Sequence, residues 1–228
     1  MKIVTPILDL FYPQYCLGCF EEVADDNFNI CLDCRTNLPI TNFSIIENND
    51  LKRKFQGRLN IKHATSLYYF NKKNKIQNLV HVLKYRNKQK IGEFFGEILG
   101  EEILQSDYFT SIDYVIPIPL HPQKFRKRGY NQNTLFGKTI AKKINAAFCE
   151  ENVQRIKKTE SQTRKSKDER FHNTENIFKI NDLEKYEGKH ILLIDDIITT
   201  GATIESCAKE LLKVKNLEIS IASIAFTH

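Results

Sequence analysis

The sequence has no apolar run that approaches the ~20 residues a helix needs to cross a bilayer. It also has no internal repeat. Asp9 and Pro13 interrupt the apolar amino-terminal stretch, and no small-residue cleavage site follows it. We therefore expect no membrane insertion and no signal peptide, and we expect a cytoplasmic protein. The apolar fraction of 41% and the charged fraction of 27% are normal for a globular fold.

Acidic residues are scarce outside the amino-terminal part of the chain. The 34 basic and 28 acidic residues give a net charge of +6, but residues 1–40 alone carry −4, so the remainder carries +10. A basic body of this kind suits a polyanionic ligand or nucleic acid. The scattered lysines are also typical of a solvated surface, and this is how we interpret most of them.

Cysteine is rare except in one short segment, which holds four of the six cysteines as two Cys-x2-Cys pairs separated by eleven residues. These four are Cys16, Cys19, Cys31 and Cys34. Two such pairs can place four thiolates around one Zn²⁺, and full thiolate coordination leaves no open position for catalysis. Two disulfides or a redox Cys-x-x-Cys are the alternatives. A cytosolic chain disfavours the first, and the second does not require a second pair.

The most informative stretch is ILLIDDIITTGAT at 191–203. An apolar strand over 191–194 is followed by Asp195 and Asp196, and then by a small-residue loop that opens a helix with apolar residues at helical spacing. The loop residues are Thr199, Thr200, Gly201, Ala202 and Thr203. Backbone N–H groups of such a loop, with the positive end of the helix dipole, bind phosphate, while the carboxylates accept hydrogen bonds from neighbouring hydroxyls such as a ribose diol. The plainer alternative is an aspartate pair that only caps a helix.

This stretch resembles the phosphoribosyl pyrophosphate (PRPP) signature of type I phosphoribosyltransferases. The resemblance implies that Asp195 and Asp196 hold the ribose hydroxyls. It also implies that the loop 199–203 binds the 5′-phosphate of PRPP.

The remaining chain alternates between strand and helix patterns. We predict strands over 63–70, 113–119, 153–157, 176–180 and 217–226, and helices over 75–85, 91–104 and 131–144. Residues 41–60 are polar and rich in Asn and Lys, and we interpret them as a linker, with a zinc-binding element over 1–45 and a second domain over 46–228. The pattern predicts an α/β fold with a mostly parallel, doubly wound sheet. Ligands of such sheets bind beyond the carboxyl ends of the strands, which groups 117–119, the basic loop after 157 and 195–203 on one rim.

From Cys16 to the carboxyl terminus, the sequence resembles the ComF family of phosphoribosyltransferase-like proteins. The matching pieces are the four-cysteine element, PIPLHPQKFRKRGYNQ at 117–132, the PRPP loop, and a series of single residues. That series is Arg155, Thr159, Gln162, Arg170, Asn173 and Phe178. The chain departs from the family pattern at Lys124, where Arg is usual, and at Phe136, where a small residue is usual. The resemblance implies a type I phosphoribosyltransferase core, a zinc-ribbon-like amino-terminal element and a role in competence for DNA uptake.

Phosphoribosyl transfer also requires a site for pyrophosphate and Mg²⁺, and a cover that excludes water. We assign the first role to the backbone at Pro119 and Leu120 with Arg126 and Arg128 nearby. The second falls to a mobile loop over 159–171, with Thr159, Gln162 and Arg170 as its ligand-facing candidates. No aromatic or amide cluster in the sequence is identifiable as a reader of an acceptor base.

Three functions are therefore compared. The first is a PRPP-dependent transferase with an unknown acceptor. The second is a PRPP-binding accessory protein that acts on single-stranded DNA with the competence machinery, through basic residues 124–128 and 164–167 and the aromatic residues Phe125, Tyr130 and Phe171. The third is a zinc-ribbon nucleic-acid binder, which the acidic zinc segment argues against. The sequence makes no prediction of oligomeric state.

Overall fold

The computed structural model describes residues 14–23, 28–71, 74–156 and 177–228. Its helices are α1 Leu32–Thr36, α2 Asp50–Phe55, α3 Lys75–Tyr85, α4 Lys90–Leu104, α5 Pro122–Arg128, α6 Asn133–Lys143 and α7 Ala202–Leu211. Its strands are β1 Ala64–Tyr69, β2 Tyr114–Pro117, β3 Ala147–Phe148, β4 Val153–Arg155, β5 Phe178–Ile180, β6 His190–Ile198 and β7 Glu218–Phe226. Short 3₁₀ turns occur at Phe43–Ile45 and Glu184–Tyr186. No helix among these residues is long and apolar enough to cross a bilayer.

Five strands form one parallel sheet in the order β1-β7-β6-β2-β3. Its central strands are buried on both faces, which explains their near-continuous apolar sequences. Leu192 and Ile194 of β6 face a cluster built from α3, α4 and α6, whereas Ile191 and Leu193 face a cluster that includes α2 and α7. The predicted α/β fold with a mostly parallel sheet covered on both faces is confirmed.

The direction of chain winding reverses between β2 and β6. From β2 the chain crosses through α5 and α6 to the edge strand β3, whereas from β6 it crosses through α7 to β7 on the other side. The two strands are paired, with Pro117 opposite Ile194. A crevice opens at the carboxyl ends of two strands where the winding reverses, and such crevices bind ligands.

Strand β4 lies outside this sheet. It pairs antiparallel with β5, with Val153 opposite Ile180, in a separate two-stranded sheet. The prediction that this strand belongs to the main sheet was therefore wrong, and the basic loop after 157 lies outside the described residues. Each of these strands has only three residues, and Val153 and Phe178 bury one face against the α7 side of the core. The sheet position beside β2 is taken by the two-residue strand β3, which is too short for periodicity to reveal.

Helix α5 forms in a segment that the sequence pattern did not identify as helical. Its first turn has Pro122 at the start, with the His121 ring accepting a hydrogen bond from the Gln123 backbone N–H at 3.3 Å. It ends at Gly129, whose φ of 80° is the left-handed conformation typical of a helix end. None of its residues is buried, so it has no apolar stripe for a pattern to show.

The interpretation of residues 41–60 as a linker was wrong. Leu51 and Phe55 of α2 are fully buried in the core beside the sheet, together with Phe43. The Asn49 amide fixes this segment by donating to the carbonyls of Ile46 at 2.9 Å and Ala64 at 2.7 Å. These three buried apolar residues are separated by many polar ones, so segment 41–60 shows no recognisable hydrophobic periodicity. The domain boundary after residue 45 stays a prediction.

The four-cysteine segment packs against α3. Cys16 and Cys34 are fully buried in the same apolar cluster as Ile76 of that helix. The Asn78 side chain donates a hydrogen bond to the Gly18 carbonyl at 2.8 Å, and Lys75 pairs with Asp33. The amino-terminal element is thus attached directly to the helix whose other end reaches the crevice.

Candidate functional site

The two aspartates lie near the carboxyl end of β6, beside the crevice. The strand continues to Ile198 and therefore includes both residues, whereas the apolar pattern had ended it at 194. Asp196 is buried, with 4% of its surface exposed, and Asp195 is partly buried. Their side chains alternate along the strand, so they face opposite sides of the sheet while their backbones adjoin.

Side chains from two helices form an ion pair and hydrogen bonds with the two aspartates. Asp196 accepts hydrogen bonds from Lys84 at 2.7 Å through Oδ1 and from Gln132 at 2.5 Å through Oδ2. Asp195 Oδ1 accepts from the Asn133 side chain at 3.0 Å and from the Asp196 backbone N–H at 2.9 Å. Gln132 and Asn133 stand at the start of α6, and Lys84 stands at the end of α3.

None of these three partners was predicted from the sequence. Gln132 lies within the segment 117–132 that carried the family resemblance, and this was the available signal. Lys84 follows the apolar stripe of an ordinary amphipathic helix. No pattern relates position 84 to position 196, because only the folded chain brings them together.

Burial raises the pKa of the Asp195 carboxyl to about 7, and repulsion from the Asp196 carboxylate adds to this effect. The Lys84 ammonium and the Asn133 amide oppose it without cancelling it. Near neutral pH, the pair therefore holds a proton for part of the time. A cationic ligand, or one rich in hydroxyl groups, would stabilise both carboxylates in their ionised form. Binding of such a ligand would therefore release that proton.

The predicted phosphate loop connects β6 to α7. Helix α7 begins at Ala202, and Gly201 precedes it with a φ of 79°, a conformation that side chains disfavour. Thr199 and Thr200 are exposed. The first N–H groups of this ten-residue helix have no partner within the helix, and that of Ala202 donates to the Thr200 hydroxyl at 3.4 Å.

Lys54 of α2 and Arg58, which follows that helix, bond to this loop. The Lys54 ammonium donates to the carbonyl oxygens of Thr199 at 2.9 Å and Thr227 at 3.1 Å. Arg58 donates to the Thr200 carbonyl at 3.4 Å and to Glu205 at 2.8 Å. Because α2 engages loop carbonyls, it fixes the orientation of the peptide groups in the loop. No role for Lys54 or Arg58 was predicted from the sequence.

The Phe55 ring lies directly against Gly201. A Cβ atom at position 201 would come within 2.7 Å of a ring carbon, closer than real contacts allow. Glycine is therefore required here for two reasons, its positive φ and the closeness of the ring.

The residues assigned to pyrophosphate are brought only partly together. Pro119 and Leu120 follow β2 at the crevice, and Arg128 donates to Gln132 Oε1 at 2.6 Å, which links it to Asp196. The Arg128 guanidinium also stacks on the Tyr85 ring at 4.9 Å from its centroid. Arg126 lies on the exposed surface of α5. The candidate lid residues Thr159, Gln162 and Arg170 lie outside the described residues.

Arg155 is a further cation near the pair that the sequence analysis assigned no role. It ends β4, and its positive charge is attracted electrostatically by Asp195. Burial lowers the pKa of its guanidinium, and Asp195 opposes that change. Positive charge from α3 and β4 thus acts on the acidic pair, and Arg128 of α5 is linked to it through Gln132.

The four predicted cysteine ligands form one cluster, with all sulfur atoms within 4.8 Å of one another. Cys19 Sγ and Cys31 Sγ are 3.7 Å apart. A tetrahedral site with metal–sulfur bonds of about 2.3 Å has sulfur atoms about 3.8 Å apart, so the spacing fits a bound metal ion. Backbone N–H groups of Gly18 and Cys31 point at Cys16 Sγ, at 3.4 Å and 3.3 Å. Burial opposes ionisation of this thiol, but backbone N–H groups of Cys19, Cys31 and Gly18 outweigh it and lower its pKa to about 6.

Comparisons of the sequence with known proteins give a domain match and several named relatives. A family model described as phosphoribosyl transferase domain matches residues 134–228. The chain is 28% identical over 138 residues to a Salmonella typhi protein named DNA utilization protein YhgH, a match covering 59% of this chain and 60% of that protein. It is 30% identical to competence protein F of Haemophilus influenzae over 49% of each chain. It is 26% identical to competence protein ComFC of Bacillus subtilis over 92% of this chain and 82% of that one.

Solved structures give a weaker match. One is a hypoxanthine phosphoribosyltransferase from Staphylococcus aureus, with 17% identity, a TM-score of 0.37, and coverage of 59% of this chain and 62% of that one. An overlap this low carries no weight. The predicted resemblance to the ComF family is confirmed by the named relatives and the matched domain.

The contact between Gly201 and Phe55 makes a testable prediction. We expect Gly201→Ala to lower the free energy of unfolding by about 1–3 kcal/mol and to disturb the loop, because the new methyl group meets both an unfavourable φ and a fixed ring. Gly57→Ala is the matched control: its φ is +74°, but nothing lies within 4 Å of the added methyl group. Urea denaturation of both variants measures the difference. Equal losses would show that Phe55 does not constrain the loop.

The raised pKa of Asp195 makes a prediction about pH. Its folded-state pKa is above that of the unfolded chain, so its contribution to stability is greatest below about pH 4 and is lost as pH rises through about 7. Asn cannot ionise, so the melting temperature of Asp195→Asn relative to wild type should rise by roughly 2–8 °C between pH 5 and pH 8. Exposed Asp107→Asn serves as the control. A difference that stays constant with pH, or falls, would contradict the raised pKa.

Proposed function

We propose that this chain, a relative of the ComF competence proteins with a phosphoribosyltransferase domain, binds PRPP and transfers its phosphoribosyl group to a nitrogen nucleophile. The single observation that carries the proposal is the placement of the Asp195–Asp196 pair and the loop 199–203 together at the winding reversal of the sheet. The match spans only 60% of the length of the Salmonella typhi relative. The activity is therefore a proposal for this chain and is not taken from that protein.

The ribose is the part of PRPP that the aspartates suit. The two hydroxyls of the ribose diol are hydrogen-bond donors, and the carboxylates of Asp195 and Asp196 are charged acceptors near the same strand end. Helix α7 begins one short loop beyond them, and its first N–H groups suit the 5′-phosphate. Lys54 and Arg58 hold the loop in shape by engaging its carbonyl groups rather than by contacting the ligand.

The pyrophosphate group would lie among the surrounding positive side chains. Arg128, Arg155 and Lys84 stand around the acidic pair, and the backbone at Pro119 and Leu120 borders the same crevice. Carboxylate oxygens of the aspartates are suitable for the coordination sphere of Mg²⁺. When bound with PRPP, Mg²⁺ would neutralise charge on the leaving pyrophosphate.

The reaction class follows from the ligand. The bond between the anomeric carbon and the pyrophosphate oxygen breaks, and pyrophosphate leaves with the electron pair. A nitrogen of the acceptor forms the new bond and gives up its proton. The protein contributes chiefly by fixing the ribose and by stabilising the developing charge with preorganised cations and N–H groups. We place this activity in the cytoplasm.

A second candidate function is that of a PRPP-binding accessory protein that contacts single-stranded DNA during uptake. One observation favours it: Phe125 is 49% exposed on the basic helix α5, and Arg128 of the same helix stacks on the exposed Tyr85 ring. Aromatic and arginine planes of this kind stack on bases. If this function is right, DNA affinity falls steeply with salt, and Phe125→Ala weakens it at low salt. Absence of binding at low salt would remove the candidate.

For the cysteine cluster we propose a structural Zn²⁺. The support is the set of four sulfur ligands, which leaves no coordination position for a substrate. We expect about one zinc per chain in protein purified without chelator. Cys31→Ser should lose the metal and melt at a lower temperature, whereas Cys149→Ser, outside the cluster, should retain it. Metal analysis by mass spectrometry decides the matter. A zinc-free wild type, or a Cys31→Ser variant that retains zinc, would contradict the proposal.

The PRPP proposal is tested by replacing both aspartates with asparagine. Asparagine keeps the size but removes the charged acceptors, and each hydrogen bond to a charged group contributes about 1.5–3 kcal/mol. PRPP affinity in Mg²⁺ should therefore fall by about ten- to a hundred-fold or more. A thermal-shift titration measures this effect, because a ligand that binds the folded state raises the melting temperature. Asp107→Asn is the control. Equal shifts in wild type and double variant would show that the aspartates are not the ribose site.

A further inference from the structure

We propose that Lys84 is a mobile counter-ion that leaves Asp196 when ribose binds and pairs instead with a phosphoryl oxygen of the ligand. This inference rests on the proposed PRPP function and assigns one residue of α3 a role in it. Lys84 would then select PRPP over ribose phosphates that lack the pyrophosphate group.

Both oxygens of Asp196 are already occupied. Lys84 takes Oδ1 at 2.7 Å, and Gln132 takes Oδ2 at 2.5 Å. Each oxygen keeps a second lone pair, but Asp196 is buried, so a ribose hydroxyl reaches this carboxylate only if one of the two donors moves aside.

The two donors differ in how easily they are displaced. Gln132 is buried, and its own oxygen accepts a hydrogen bond from Arg128 at 2.6 Å, so it is fixed at both ends of its amide. The Lys84 side chain is 20% exposed and sits on a flexible four-carbon stem at the last turn of α3. Lys84 is therefore the donor that exchanges.

Once displaced, the ammonium group requires a new anion. Arg128 and Arg155 stand near the same carboxylates, so a lysine without a partner would add a third positive charge to a partly buried site. PRPP brings the anion with it, because its pyrophosphate group carries several negative charges. Lysine suits this role as a compact point charge with rotatable donors. Ribose 5-phosphate displaces Lys84 as well, but it supplies no anion at the pyrophosphate position.

The test compares two ligands on four proteins by isothermal titration calorimetry with Mg²⁺. The ligands are PRPP and ribose 5-phosphate. The proteins are wild type, Lys84→Met, Lys84→Gln and Lys75→Met. Lys75 stands on the same helix and makes an ion pair with Asp33 at its far end, so its replacement removes the same charge away from the crevice. Lys84→Gln keeps an amide donor for Asp196 in case Lys84→Met does not fold.

The predicted result is a change of selectivity. Loss of the Lys84 charge should lower the affinity for PRPP by about ten- to a hundred-fold, because a charge-assisted contact is lost. Affinity for ribose 5-phosphate should stay within about threefold of wild type or increase, because no ammonium must be displaced without a new partner. Lys75→Met should bind both ligands as wild type does.

Three outcomes would overturn the inference. An equal loss of affinity for both ligands in the Lys84 variants would mean that Lys84 only maintains the shape of the site. Unchanged affinities in the Lys84 variants would mean that it contacts no ligand. Failure of wild type to bind either ligand would overturn the proposed function itself, and this result is distinguishable from the other two because it does not depend on position 84.

Discussion

Two adjacent carboxylates at the end of a buried strand are the constraint on which the rest of the site depends. Repulsion and burial both raise the free energy of the doubly ionised pair, so the fold must supply compensating groups. It does so from separate parts of the chain, with Lys84 from α3 and the amides of Gln132 and Asn133 from α6. The ends of these helices therefore converge on the carboxyl end of β6. The four-cysteine element packs on α3, which connects it physically to the same site.

The predicted phosphate loop depends on a second convergence of residues, on the other face of the sheet. Gly201 allows the chain to turn sharply into α7, and the Phe55 ring fills the space that its missing side chain leaves. Lys54 and Arg58 engage the carbonyls of the loop, so its shape is set before any ligand arrives. Preorganisation of this kind reduces the entropy lost on binding. Different residues therefore contact the aspartates and the loop. Substitutions can alter each part of the site separately.

The sequence predicted the parts of the site that are contiguous in the chain. The stretch 191–203 and the four cysteines each carry their chemistry in local spacing. The strand, the helix and the cysteine cluster are present in the structure, and the ligands assigned to them stay predictions. Lys84, Lys54 and Phe55 were missed because their roles arise only from contacts between residues far apart in the chain. Segment 41–60 was misread for a related reason, since its few buried residues show no period. The antiparallel pairing of β4 with β5 is also set by tertiary contacts, because strands of three residues give almost no periodic signal.

The central claim is that the end of β6 and the start of α7 form one PRPP site. Hydrogen–deuterium exchange with and without PRPP and Mg²⁺ tests it most directly, because it reports on each backbone segment without any substitution. The account predicts slower exchange over 195–205 and at the end of α3, with little change in the four-cysteine element. Unchanged exchange over 195–205, together with protection elsewhere in the chain, would contradict it.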